Sequence, residues 1–169
     1  MARVIVFAVS SLIVFAFLVG APSAIGQATK TYKDRLVGSW TEVSITADGG
    51  AQPFGPNPNG MMMVDAGGHI SLTTLRSDLP KFQSNNRMTG TADENKAIVQ
   101  GSFAFFGTYV IDEVTHEMTI TIKGSTFPNF TGTIQKRLLS FRDDDEFTFT
   151  VAHPSGGGPT TTVVFRRAK

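Results

Sequence analysis

The sequence predicts an all-β domain, a sandwich or a barrel, built from eight short strands and one short helix. From Leu36 onward, short runs rich in Val, Ile, Thr and Phe are separated by Gly, Asn, Asp and Pro, which is typical of strands joined by turns. The segment "TADENKAIV" (91–99) differs, because Thr91 and Glu94 have the spacing of a capping box that begins a helix. The predicted strands are 38–46, 60–65, 69–75, 103–112, 117–123, 132–141, 146–152 and 160–167.

Residues 1–28 have the three parts of a secretory signal peptide. Arg3 precedes an uncharged, mostly apolar run over 4–20, and the small-residue segment "APSAIGQA" follows. Cleavage after Gly26 or after Ala28 would leave one domain, 29–169, periplasmic or secreted and without stable membrane insertion. The alternative is an uncleaved membrane anchor, since the run reaches the lower limit of a spanning helix.

The composition of the mature chain argues against several classes of function. Without Arg3 the 15 basic residues become 14, against 14 acidic ones, so the concentrated positive charge of a nucleic-acid-binding protein is missing. The sequence contains no cysteine, which excludes disulfides and thiolate metal sites. His69, His116 and His153 stand far apart, without the spacing of a zinc motif. We therefore expect no metal, no cofactor and no nucleic-acid partner.

Alternation along the predicted strands places aromatic and apolar side chains on one face. Phe103, Phe105 and Tyr109 share a side of strand 103–112, and Ile120 lies in the apolar row of strand 117–123. Phe147 and Phe149 alternate with polar residues in the same way. Such a face either packs as a solid core or lines a cavity for one small ligand.

Two strands carry polar groups at the parity of their apolar residues. Glu42 in the first strand, and Gln135 and Arg137 in the sixth, would point inward together with Tyr109. If they do, they form a buried polar cluster in which Glu42 pairs with Arg137, because a buried charge needs a partner. The alternative is a β-bulge that shifts the register and leaves these groups in solvent.

Seven segments occur together in the order found in one known family. The segments are "LVGSW" (36–40), "PFGPNPNGMMMV" (53–64), "GGHISL" (67–72), "FFGTYVID" (105–112), "GSTFPNFTG" (124–132), "FTFT" (147–150) and "VVFRR" (163–167). With these segments the sequence resembles the small lipocalin-like domain of many bacterial and some fungal proteins. This resemblance implies one closed antiparallel barrel of eight, at most ten, strands, in which Trp40 closes one end and Arg166 or Arg167 packs across its ring.

The segment "GSTFPNFTG" contains the Asn-x-Thr triplet of an N-glycosylation site at Asn129. Because the whole segment matches the family, the triplet is explained without a sugar. We expect a corner between the fifth and sixth strands, with Pro128 fixing the backbone and with Phe127 and Phe130 capping the barrel.

The expected function is the binding of a small hydrophobic molecule inside the barrel. One alternative is an isomerase or cyclase that uses Glu42 and Tyr109 as acid–base groups, with Arg137 stabilising an anion. Another is a filled barrel that acts through protein contacts. Ligand identity and oligomeric state do not follow from the sequence. The expected ligand-binding residues are Phe103, Phe105, Tyr109, Ile120, Arg137, Phe147 and Phe149.

Overall fold

The structure is a computed structural model that describes Met1 and residues 29–169. The expected signal peptide lies outside the described residues, apart from Met1. The described part contains two α-helices, eight β-strands and a 3-10 helix over Pro128–Phe130. In chain order they are α1 (Tyr32–Leu36), β1 (Gly38–Ala47), β2 (Asn59–Val64), β3 (His69–Leu75), α2 (Ala92–Gly101), β4 (Ser102–Asp112), β5 (Glu117–Ser125), β6 (Ile134–Phe141), β7 (Glu146–Val151) and β8 (Thr161–Arg167).

The eight strands form a closed barrel. Each strand pairs antiparallel with the next, and β8 pairs with β1. The predicted all-β barrel is confirmed, and closure excludes the sandwich. Helix α2 begins at the predicted capping box of Thr91 and Glu94. Helix α1, in a segment for which no helix or strand was predicted, has the same kind of box at Thr31 and Asp34.

Alternation explains which residues enter the barrel. In β2 the side chain of Met62 is fully buried, whereas Met61 and Met63 face outward. A β-bulge lies in β1 between Glu42 and Ser44. Because the bulge follows Glu42, this residue stays on the inner face, so the alternative that placed it in solvent is wrong.

Helix α1 and Trp40 close one end of the barrel. The side chain of Trp40 is fully buried, and its Nε1 donates a hydrogen bond of 2.7 Å to the carbonyl oxygen of Leu36 in α1. The guanidinium carbon of Arg167 lies 4.2 Å from the centre of the Trp40 ring, a cation–π contact. Arg167 is thus the basic partner, since Arg166 pairs with Glu146 instead.

The half of the barrel next to Trp40 is filled by aromatic rings. The ring of Phe147 packs edge-on against Trp40 at 4.7 Å and stacks on Phe165 at 5.0 Å. Phe141 packs on both Trp40 and Phe147. These rings fill the interior of the barrel at the α1 end, so any internal cavity must lie at the opposite end.

Among the residues that the structure describes, none belongs to a helix long and apolar enough to cross a membrane.

Candidate ligand-binding cavity

A cavity of about 560 Å³ occupies the half of the barrel away from α1. The loops that join β1 to β2, β3 to β4, β5 to β6, and β7 to β8 gather at this end and form its mouth. Its volume lies within the range of small-molecule sites in proteins. The barrel is therefore solid at one end and hollow at the other, which argues against the completely filled barrel.

The cavity wall is mostly apolar, and several of its residues are aromatic. Phe105 and Phe149 are almost fully buried on the strands, and loop residues complete the wall at the mouth. These rings offer a flat ligand both edge-on and face-on contacts. The six phenylalanines that line the cavity are Phe54, Phe103, Phe105, Phe127, Phe130 and Phe149.

The expected corner between β5 and β6 is present. Its 3-10 turn over Pro128–Phe130 places Phe127 and Phe130 at the mouth, with their ring centres 5.1 Å apart. Phe130 also packs edge-on against Phe103 at 5.9 Å, which connects the corner to the wall. The two rings cap the hollow end, as the sequence predicted.

Glu42 lines the cavity with an incompletely satisfied carboxylate. Its side chain is almost fully buried, and Oε1 accepts a hydrogen bond of 2.7 Å from Thr74 Oγ1. Among the described residues, no group donates to Oε2. Burial raises the pKa of Glu42 from 4.5 to about 7, although the Thr74 bond opposes this rise. Gly60 makes room for the carboxylate, because a Cβ at that position would collide with it.

Arg137 lines the same cavity with an isolated guanidinium. The residue is 6% exposed, and one of its terminal nitrogens donates a hydrogen bond of 2.7 Å to the carbonyl oxygen of Lys136. Burial lowers the pKa of Arg137 from 12.5 to about 10. The guanidinium carbon lies 5.9 Å from the centre of the Phe149 ring. Glu42 and Arg137 are the charged residues among those described that line the cavity.

The expected ion pair between Glu42 and Arg137 is wrong. The structure has no ion pair between these two described residues, and neither contributes to the pKa shift of the other. The reason is position on the barrel, because strands β7 and β8 separate β6 from β1. The Glu42 carboxylate instead accepts its hydrogen bond from Thr74 on β3.

The wider polar cluster does not form either. The Tyr109 hydroxyl donates a hydrogen bond of 2.9 Å to the carbonyl oxygen of Asp65, which lies in the turn between β2 and β3 at the α1 end. The side-chain amide of Gln135 donates a hydrogen bond of 3.0 Å to Thr133 Oγ1 and does not join Glu42 or Arg137. Burial raises the pKa of Tyr109. Its hydroxyl is used to hold the turn between β2 and β3. Each polar group has thus found a separate local partner.

The structure brings four of the seven expected ligand-binding residues to the cavity. Phe103, Phe105, Arg137 and Phe149 line it, whereas Tyr109, Ile120 and Phe147 are buried without lining it. Alternation correctly gave the inner face of each strand. It carried no information on depth along the barrel axis, and these three lie outside the hollow half.

Sequence reasoning left several lining residues out of the ligand-binding set. Glu42 was considered as an acid–base group, and its parity with Trp40 was the available signal. Thr74 continues the inward row of β3 but was not singled out. The loop residues Phe54, Phe127 and Phe130 reach the cavity through loop conformations that strand alternation does not describe.

Two of the three histidines have contacts that explain them structurally. His69 Nδ1 lies 2.9 Å from Asp65 Oδ2, and His116 stacks on Tyr32 with ring centres 3.9 Å apart. Within residue 1 and 29–169, no three or more His, Asp or Glu side chains are grouped so that they could hold a metal ion. The cavity is therefore the candidate functional site among the described residues.

A model of the lipocalin-like domain matches residues 37–168, which is more than half of the chain. The chain belongs to the lipocalin-like domain family. The lipocalin-like barrel is also similar to two solved designed proteins. One is a redesigned β-barrel, 15% identical over 81% of this chain and 95% of that chain, with a TM-score of 0.44. The other is a fluorescence-activating β-barrel designed de novo, 14% identical over 83% and 100%, with a TM-score of 0.46. No curated protein matches this lipocalin-like chain.

Proposed function

We propose that this chain is exported and binds a small, mostly apolar molecule in the hollow half of its barrel. One observation carries the proposal: a cavity of about 560 Å³ is lined by six phenylalanines and contains two charged side chains. Glu42 has an oxygen without a hydrogen-bond partner among the described residues, and Arg137 has one protein acceptor, the Lys136 carbonyl oxygen. Ligand sites in proteins typically combine an apolar wall with a few placed polar groups. Membership of the lipocalin-like family supports a binding function for the interior.

The energetics of Glu42 and Arg137 support an occupied cavity. An unsatisfied buried polar group costs about 1–3 kcal/mol, and charged groups cost more. Apolar residues of similar volume at these two positions would cost the folded protein less free energy, because the charges of Glu42 and Arg137 do not compensate each other. Their placement on a cavity wall is explained if a ligand supplies the missing hydrogen bonds.

The geometry supports binding more than catalysis by the expected acid–base pair. Glu42 lies on the cavity wall, whereas the Tyr109 hydroxyl donates into the turn at the α1 end. The two groups therefore do not face one substrate. Arg137 remains available in the cavity as a binding group.

The test begins with the protein isolated from its native host. Native mass spectrometry is expected to show a bound small molecule that organic extraction removes. The same sample tests export, because cleavage after Gly26 or Ala28 gives a mature chain beginning at Gln27 or Thr29. An uncleaved chain would contradict the export part of the proposal and leave the binding part standing.

A matched pair of variants on β4 links binding to the cavity. Phe103 lines the cavity, whereas Phe106 points outward and is 58% exposed. Phe103→Ala should weaken binding of the extracted molecule about tenfold, since the lost ring contact is worth roughly 1.5 kcal/mol. Phe106→Ala should leave the affinity unchanged. Absence of a retained molecule, together with no binding across a fatty-acid, terpenoid and aromatic panel, would refute the proposed function.

A further inference from the structure

We infer that the ligand is a flat, unsaturated molecule with two polar ends, a carboxylate that Arg137 binds and a hydrogen-bond donor that Glu42 binds. This inference rests on the proposed binding function and adds the chemical class of the ligand. It follows from the two charges on the cavity wall, from the absence of an ion pair between these two described residues, and from the aromatic rings that line the cavity.

Arg137 selects the acidic end. A guanidinium carries five N–H donors in a planar fork, and the structure uses one nitrogen of Arg137, for the Lys136 carbonyl oxygen. The remaining donors belong to a cation enclosed by an apolar wall, where a carboxylate supplies both the opposite charge and two matching acceptors. A neutral hydroxyl would satisfy the donors without compensating the charge.

Glu42 selects the donor end. An ionised carboxylate accepts up to about four hydrogen bonds. Thr74 supplies one to Oε1, and Oε2 has none from the described residues. The vacant positions call for an N–H or O–H donor. Gly60 maintains this arrangement, since any larger residue there would displace the carboxylate.

The two ends must be separated by a spacer. No nitrogen of Arg137 lies within 4.0 Å of a Glu42 carboxylate oxygen, so the two charges are not in contact. A ligand carboxylate bound by Arg137 is an acceptor only, so the donor for Glu42 must belong to a second group of the ligand. The ligand body therefore spans the cavity between the walls formed by β1 and β6.

The aromatic rings of the cavity wall indicate an unsaturated body. Six phenylalanines line a cavity in which strand residues and mouth residues both present rings. Aromatic pairs in edge-on or offset geometry are worth about 0.5–1.5 kcal/mol beyond the area that they bury. A flat ring system gains these contacts, and a saturated chain of the same volume does not.

A matched ligand series tests the inference by titration calorimetry at about pH 8, where Glu42 is mostly ionised. The hydroxy acids 4-hydroxybenzoate, 6-hydroxy-2-naphthoate and 4′-hydroxybiphenyl-4-carboxylate vary the spacer. Each is compared with the analogue without the hydroxyl and the analogue without the carboxylate. We expect at least one hydroxy acid to bind about tenfold or more tightly than both of its analogues, because each lost bond involves a charged group.

Two variants assign the ends. Arg137→Met should abolish the advantage of the acid over its decarboxylated analogue and preserve the advantage of the hydroxyl. Glu42→Met should do the reverse. Both variants should fold, since each replaces an incompletely satisfied buried charge with an apolar side chain of similar length. Phe106→Ala, outside the cavity, should retain both advantages.

The outcomes separate this inference from the proposed function. Equal affinity for all members of each series, with no change in the two methionine variants, would overturn the inference while leaving binding intact. Tight binding of fatty acids or terpenoids with none of the aromatic compounds would also overturn it. Failure of every compound, together with no retained native molecule, would instead refute the proposed function.

Discussion

Replacing Glu42 with glutamine is expected to stabilise the protein at about pH 8 by on the order of 3 kcal/mol. Glutamine removes the cost of keeping a buried carboxylate ionised, and each unit by which burial raises the pKa of Glu42 corresponds to about 1.36 kcal/mol. The native pKa of Glu42 is raised from 4.5 to about 7, first of all by burial. Unfolded chains release this proton near 4.5, whereas the native protein holds it until about 7. Native chains thus bind more protons in this window, so the contribution of Glu42 to stability is lost as pH rises through it.

Urea unfolding at several pH values between about 4 and 8 checks this result. The wild-type free energy of unfolding should contain a component that falls with rising pH, and Glu42→Gln should remove it. Glu94→Gln is the matched control, because Glu94 is half-buried outside the cavity and hydrogen bonds from the backbone N–H groups of Gln83 and Thr91 lower its pKa. The same substitution there should remove a contribution of the opposite sign. A Glu42→Gln protein less stable than wild type at about pH 8 would contradict the prediction.

Replacing Trp40 with alanine should be the most destabilising single change at the closed end, at about 3–5 kcal/mol. The substitution removes a fully buried indole, its hydrogen bond to Leu36 and its contact with Arg167. Arg167 also donates to the carbonyl oxygens of Arg35 and Val37, so the end of α1 is anchored to the same cluster. We expect α1 to lose its attachment together with the indole.

Denaturant unfolding followed by circular dichroism measures this loss. Trp40→Phe retains a ring and should cost clearly less than Trp40→Ala. Because Trp40 does not line the cavity, both variants should bind ligand with wild-type affinity under conditions in which they remain folded. A cost below about 1 kcal/mol for Trp40→Ala would show that the closed end does not depend on its ring.

The sequence predicted the strands and their inner faces well because both depend on local alternation and turn residues. Met62 and Phe149 are examples, since each is buried between outward-facing neighbours along its strand. The helix at 92–101 was predictable from one capping box. Helix α1 was missed, although it has a similar box, because five residues carry too little periodicity to indicate a helix.

The candidate site was only partly predictable, because its geometry depends on closure of the barrel. Glu42 and Arg137 were recognised as inward-facing polar groups, but their pairing depended on the distance between two strands that are far apart in the sequence. Depth along the axis separated Phe149, which lines the cavity, from Phe147, which does not. The mouth residue Phe54 comes from a loop, whose path no periodic pattern determines.

The position of Trp40 at the solid end has a consequence for spectroscopy. It is the single tryptophan of the chain, it is fully buried, and it does not line the cavity. Its fluorescence emission will report faithfully on unfolding of the closed end. A ligand that does not absorb in the range of that emission will leave it largely unchanged when it enters the hollow end, so an intrinsic-fluorescence screen of such compounds would score a working binder as empty. An absorbing aromatic ligand would instead quench the indole across the barrel by energy transfer, without touching it.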